Sequence, residues 1–304
     1  MTKQFHRTAV LAIATASFFS LPAHAALRIV ACEPEWAALS QELAGDKADI
    51  YSATTAMQDP HHIQARPSLI AAVRNADLLT CTGAELETGW LPVLLRQSGN
   101  TKVQPGQPGY FEAASFVTKL EIPTRLDRAD GDVHAAGNPH IQTDPHNIAK
   151  VADALGQRLA QLDPANAATY KARLQDFQTR WKAAQARWEK EAAPLRGARI
   201  VVQHKAYPYL ENWLGLNQVA TLEPKPGVEP TSSHLSEVLN QLQTQPARFI
   251  VRSAYNDNRG AEWLSQHAHI PVVVVPFSVG GSERAKDLFG MFDDTIAQLL
   301  KGLQ

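Results

Sequence analysis

The chain has 304 residues, with 29 Lys and Arg against 30 Asp and Glu, and its formal net charge of −1 gives no broad basic footprint for nucleic acid. Lys3 and Arg7, the apolar run over residues 9–21 and Ala23-His24-Ala25 have the layout of a secretory leader cleaved after Ala25. That run is too short to span a bilayer, and no later segment is long and apolar enough to do so, which leaves about 280 residues for one large or two medium exported domains. No cysteine stands at the cleavage point, so a free periplasmic protein fits better than a lipoprotein.

From Ala26 short β-rich runs alternate with helical ones. Strands are predicted over 27–32, 48–53 and 77–82, and helices over 36–44, 68–76 and 85–97, a βαβ pattern that argues for a parallel sheet. Cys32 and Cys81 each close a strand; were those strands neighbours, an oxidising compartment would let a disulfide join them, with two buried thiols as the alternative. Between Thr101 and Asn138 the signal weakens to Gly, Pro and polar residues, with one short strand predicted over 113–120 and a mobile loop over 127–138 holding Asp130, Asp132 and His134.

Asp144-Pro145 reads as an N-cap followed by proline in the first helical turn. Ile148, Val151, Leu155, Leu159 and Leu162 follow at helical spacing until Asp163-Pro164 stops the helix. Next, Tyr170, Leu174, Phe177, Trp181, Ala184 and Trp188 form an apolar stripe on a second helix ending near Pro194. At 1.5 Å per residue it reaches ~35 Å, longer than a crossover requires, and is the candidate for a rod between lobes. The alternation then resumes, with strands over 199–203, 218–222, 248–252 and 271–275 and helices over 207–214, 233–244, 261–267 and 283–301. The expected organisation is a leader over 1–25, an α/β lobe over 26–164, a connecting helix over 165–194 and a second α/β lobe over 195–304.

Two histidines stand where a parallel sheet places ligand-binding groups, in loops beyond strand C-termini, and a third precedes a helix whose predecessor strand is poorly defined. His61 follows the strand over 48–53, His204 follows that over 199–203, and His140 sits between Pro139 and the helix begun by Asp144. Neutral imidazoles suit Zn²⁺ and also admit Mn²⁺, Fe²⁺ or Cu²⁺, and proline before His61 and His140 lowers the entropy lost on ligation. A surface or hydrogen-bonded role is the more common fate of any single histidine, and no compact metal motif such as His-Glu-x-x-His is present.

Several pieces taken together resemble the zinc and manganese solute-binding proteins of bacterial ABC importers, over essentially the whole mature chain. They are Pro60-His61 with Arg66-Pro67-Ser68, Gly83-Ala84-Glu85-Leu86-Glu87 with Trp90-Leu91, Asn138-Pro139-His140 with Asp144-Pro145, His204-Lys205-Ala206-Tyr207-Pro208-Tyr209, and Glu229-Pro230-Thr231 with Leu235. The resemblance implies two α/β lobes joined by a long rigid helix, a metal site in the cleft between them made by His61, His140 and His204, and delivery of the ion to a membrane permease by a monomeric periplasmic carrier. It also implies a carboxylate in the loop after the last strand. That loop reads Pro276-Phe277-Ser278-Val279-Gly280-Gly281-Ser282-Glu283, so water, Glu283 and Asp287 are the alternatives for a fourth ligand. Three imidazoles favour zinc as the carried ion over manganese, which prefers oxygen donors.

Other residues keep two readings. His62 is a solvent residue, lies behind a ligand or ligates directly, and His134 is part of a solvated loop or a transient metal trap. Glu229 orients a ligand histidine or holds loop backbone, and the aromatic stripe is packing or a partner surface. His146, His234, His267 and His269 read as ordinary helix or loop residues. An exported zinc hydrolase with three histidines and a water is the competing function, and a surface adhesin of the same family is a third.

Overall fold

The computed structural model describes residues 26–304 except Arg128 and Asp130; the expected leader over 1–25 and the loop acid Asp130 lie outside the described residues. The first four strands are β1 (Leu27–Ala31), β2 (Ala48–Ser52), β3 (Leu78–Cys81) and β4 (Tyr110–Glu112), all parallel, in the order β2-β1-β3-β4. Helices α1 (Pro34–Ala44), α2 (Pro67–Asn75) and α3 (Leu91–Ser98) connect them. The second sheet repeats the plan: β5 (Arg199–Val202), β6 (Asn217–Thr221), β7 (Phe249–Ser253) and β8 (Val272–Val275) run parallel in the order β6-β5-β7-β8, with α6 (Pro208–Leu214), α7 (Ser232–Thr244) and α8 (Arg259–Ala268) between them. In each sheet the second strand in chain order lies on one side of the first and the third on the other, so a crevice opens beyond the first strand's C-terminal end.

β1 pairs with β3, which brings Cys32 and Cys81 together, and they form a disulfide. The strand expected over 113–120 is displaced: the register with β3 is met by Tyr110, Phe111 and Glu112, and the chain then turns through a 3-10 helix at Ala113–Phe116. The helix expected from residue 85 begins only at Leu91. Gly83, Ala84 and Glu85 all have positive φ, which no right-handed helix accommodates, and Pro92 sits in the first turn instead.

Two helices follow the first sheet. α4 (Pro145–Leu162) starts at an Asp144 N-cap whose carboxylate accepts from His146 N at 2.8 Å, as its sequence indicates. α5 (Ala167–Glu191) has 25 residues and spans ~37 Å. Its Tyr170, Phe177, Trp181 and Trp188 are buried, so the stripe is packing. α5 lies against α1, α4 and the last helix, α9 (Leu288–Lys301). Trp181 stacks on Phe177 and meets Trp188 and Phe289 edge-on at 5.1 and 4.9 Å, while its indole N–H donates to Pro145 O at 2.8 Å. One apolar cluster therefore runs from Ile29 and Trp36 through α4 and α5 to Val202, Phe277 and Phe292, and α5 is part of a shared core more than a free-standing rod. α9 begins later than expected because Asp287 caps it, accepting from Gly290 N at 2.7 Å. No helix among the described residues is long and apolar enough to cross a membrane.

Candidate metal centre

The loop after β2 carries His61, the loop after β5 carries His204, and the segment leading into α4 carries His140. All three are almost fully buried, and a ligating nitrogen of each lies within 4.8 Å of those of the other two. The ring centroids are 5.3 to 5.5 Å apart, with each pair nearly perpendicular. Among the described residues no carboxylate oxygen joins this triangle.

Local chemistry holds each ring. Asp59 Oδ1 accepts both the His61 backbone N–H at 2.9 Å and the ring Nδ1–H at 2.7 Å, leaving Nε2 buried, without a hydrogen bond and aimed inward. Pro60 O accepts from the buried Trp90 indole at 2.8 Å, which fixes the turn. His204 repeats the arrangement across the cleft: its Nδ1–H donates to Glu223 Oε2 at 2.7 Å, and the same carboxylate oxygen accepts from Gly227 N at 2.8 Å. An anionic acceptor on one ring nitrogen fixes the tautomer and makes the other nitrogen a better donor to a metal. Burial would raise the Asp59 pKa, but the His61 hydrogen bonds outweigh it and hold the carboxyl at about 2.

His140 is held through its backbone. Asn138 Oδ1 accepts from His140 N at 3.0 Å, while Asn138 Nδ2 donates to Lys205 O at 2.9 Å, beside His204 in the second lobe. The Tyr209 hydroxyl donates to Asn138 O at 2.7 Å, and Thr143 Oγ1 donates to His140 O at 2.9 Å. The ring packs edge-on against Phe277 at 5.2 Å. Burial, then the neighbouring His61 and His204 rings, push its pKa well below the ordinary imidazole value, so it stays neutral with its lone pair free.

The remaining candidates fall elsewhere. Glu229 is exposed; the acid that orients a ring is Glu223, six residues earlier, so the orienting role weighed for Glu229 is corrected. Glu283 is exposed and Asp287 serves the α9 cap. Ser278, where a carboxylate was expected, is buried and donates across the lobe boundary to Glu35 of α1. Burial lifts the Glu35 carboxyl to about 7 despite that bond. His62 is exposed, 3.7 Å from Asp132. His134, by contrast, stacks on His61 with centroids 5.4 Å apart, and burial followed by the neighbouring His61 lowers its pKa to about 4. Asp59 and Glu223 are the two acids that orient ring nitrogens. Asp59 was legible as an acid two residues before a candidate ligand, whereas Glu223 is recognisable only once β6 is known to lie beside β5.

A family model described as zinc-uptake complex component A, periplasmic (ZnuA), matches residues 29–302. The chain is 24% identical over 290 residues to a manganese ABC transporter substrate-binding lipoprotein, PsaA, of Streptococcus anginosus, covering 91% of this chain and 89% of that one. It is 23% identical over 266 residues to an iron ABC transporter substrate-binding lipoprotein, MtsA, of Streptococcus pyogenes serotype M1, covering 86% and 82%. A crystal structure of ZnuA superposes with a TM-score of 0.74 at 20% identity over 90% of this chain and 99% of that one, a likeness of fold.

Proposed function

The chain belongs to the family of the zinc-uptake complex component A, periplasmic, and from that premise we propose that it is the metal-binding subunit of an ABC importer, with zinc as its cargo. His61, His140 and His204 are the ligands; residues 26–164 and 195–304 are the two lobes that supply them, and residues 165–194 are the link. After export through its leader, the protein captures the ion in the periplasm as a monomer and presents it to a membrane permease.

The observation that carries this reading is the triangle of three imidazoles from three separate segments and both lobes, within 4.8 Å and without a carboxylate. Relatives named for manganese and iron leave the cargo to be argued from the donors. Three nitrogens suit zinc, while manganese gains most from oxygen ligands that this triangle lacks. A hydrolase would need a free general base. The two carboxylates that touch the rings, Asp59 and Glu223, are already bound to ring nitrogens, which supports a carrier over an enzyme.

The test is zinc and manganese titration of the mature protein and of its His61→Ala, His140→Ala and His204→Ala variants. One tightly bound zinc in the wild type, preference for zinc over manganese and severe loss in each variant are expected. Full zinc affinity in all three variants refutes the site. Manganese preference refutes the cargo, and hydrolytic turnover abolished by chelation refutes the carrier reading.

A further inference from the structure

Glu33 follows the C-terminal end of β1, and beside it lies a cavity of about 10 Å³, room for one water-sized occupant. Glu33, Glu35, Thr54, Pro60, Gln142 and Ser278 line it, and none of the three histidines does. β1 is the strand with β2 on one side and β3 on the other, so the cavity sits where an open parallel sheet binds ligands. Ser278 comes from the loop after β8 of the second sheet, and the other five come from around the first.

Three buried carboxyl groups gather at this place: Glu33, Glu35 and Glu87 are 3, 2 and 2% exposed. Glu87 is satisfied, accepting from Thr82 N at 2.8 Å and Gly83 N at 3.1 Å. Glu33 is only half satisfied. Its Oε2 accepts from Thr82 Oγ1 at 3.0 Å, whereas its Oε1 is buried with no hydrogen-bond partner among the described residues. The same holds for Gln142, 1% exposed, whose Oε1 is also buried without a donor. Glu35 takes the hydroxyl of Ser278 and adds a second carboxyl to the wall. Bare acceptors from two residues at one small cavity are costly, and what relieves them must be positive. Burial pushes the Glu33 carboxyl well above its ordinary range and that of Glu35 to about 7, which expresses the same shortage of positive charge.

The donors on this wall are carboxylate, amide and hydroxyl oxygens, the set that hard cations take. Two carboxylates match a divalent ion. Mg²⁺ keeps several waters, for which a cavity of one water's size has no room, whereas Ca²⁺ accepts a flexible all-oxygen shell. Exposed Thr55 and half-buried Gln58, also on the wall, give access from solvent.

We propose that Glu33, Glu35 and Gln142 bind a hard divalent cation of the Ca²⁺ class, at a site separate from the histidine triangle. The ion neutralises the buried carboxyls of the first lobe and, through the Glu35–Ser278 bond, secures the loop after β8 against α1. This does not depend on which ion, if any, the histidines carry.

Tb³⁺, an oxygen-seeking stand-in for Ca²⁺, is the probe, because two indoles lie beside the cavity. Trp36 donates to the Thr82 hydroxyl at 2.8 Å and Trp90 to Pro60 O at 2.8 Å, so tryptophan excitation sensitises a lanthanide bound there. Titration of the mature protein at pH 7.5 is expected to give luminescence that saturates at one equivalent and is reversed by excess Ca²⁺. Ca²⁺ alone is expected to raise the melting temperature by a few degrees. Glu33→Gln and Glu35→Gln each lower Tb³⁺ affinity by about tenfold or more, since ligand charge sets the affinity of such sites, while Glu229→Gln at an exposed position binds as wild type. Equal circular dichroism of the variants in chelator separates lost binding from lost folding; should either variant fail to fold, the other and the wild-type melting shift decide. Absence of saturable Tb³⁺ binding, a signal that Ca²⁺ does not displace, full affinity in either folded Gln variant, or a melting temperature indifferent to Ca²⁺ overturns the site and leaves protons alone to neutralise these carboxyls.

Discussion

Replacing Glu223 tests how this site makes a good ligand of a histidine. Glu223 touches no part of the ion's position; it holds the Nδ1–H of His204 at 2.7 Å and Gly227 N–H at 2.8 Å. Its side chain is only 12% exposed and that of His204 8%, so the charge-assisted bond is poorly screened by water. Glu223→Gln keeps an acceptor oxygen but removes the charge, so the ring stays oriented while Nε2 loses basicity. The expected loss of zinc affinity is about tenfold, or ~1.4 kcal/mol. Glu223→Ala removes the acceptor as well and frees both the ring and the turn at Gly227, for a loss of about 100-fold. Competition against a chelator of known affinity measures both. Glu229→Ala, at an exposed position, is expected to bind as wild type. Equal affinity in wild type, Glu223→Gln and Glu223→Ala would refute the reasoning, as would a loss in Glu229→Ala matching that of Glu223→Gln.

The remaining predictions concern the frame and its response to pH. Removing the disulfide in Cys32→Ala/Cys81→Ala, which frees a loop with a sequence separation of 49, is expected to cost ~4 kcal/mol in urea unfolding on the chain-entropy estimate; no change in the midpoint would contradict it. Trp181→Ala leaves a hole among Phe177, Trp188, Phe289 and Phe292 and is expected to cost ~3–5 kcal/mol, and a loss below ~1 kcal/mol would mean that the shared core is not what joins the lobes. Glu35 has a folded-state pKa raised to about 7, above its unfolded value, so the folded protein holds the proton more tightly. Its contribution is full at low pH and is lost as pH rises through about 7. Glu35→Gln is therefore expected to flatten that part of the stability–pH curve of the metal-free protein, and an unaltered slope would argue against a buried, proton-holding Glu35. Zinc affinity itself is expected to fall from pH 7.5 to pH 5, since metal and proton compete for the same imidazole lone pairs.

Much of this architecture was legible because local signals and fold agreed. Each strand that bounds the crevice is a short β-branched or apolar run, and Asp144-Pro145 carries both helix-start signals. The stripe ending in Trp181 and Trp188 has the period of a buried helix. The three proposed ligands were legible as histidines placed after strands or between prolines, in an order that matches a known family. What the sequence hid depends on contacts between distant residues. Nothing near residue 204 points to Glu223, which follows β6 and reaches His204 only because β6 and β5 pair. Ser278 and Glu35 are 243 residues apart, so the serine in place of an acid could not be assigned its partner. The misplaced fourth strand has a similar cause: 113–120 has residues fit for a strand, but the register that β3 offers is taken up by Tyr110, Phe111 and Glu112. His134 sits in a Gly- and Asp-rich stretch that reads as solvated loop, and its place against His61 emerges only from the ties that Glu85 and Pro226 make.

The central claim is that imidazole nitrogens, and no carboxylate or thiolate, hold the cargo between the lobes. X-ray absorption at the zinc edge of the mature protein loaded with one equivalent tests it most directly. A nitrogen shell at ~2.0–2.1 Å with the outer-shell scattering of at least three imidazoles is predicted, one of which disappears in His204→Ala. Fewer than three imidazoles, a sulfur shell, or a spectrum that His204→Ala leaves unchanged would contradict the account.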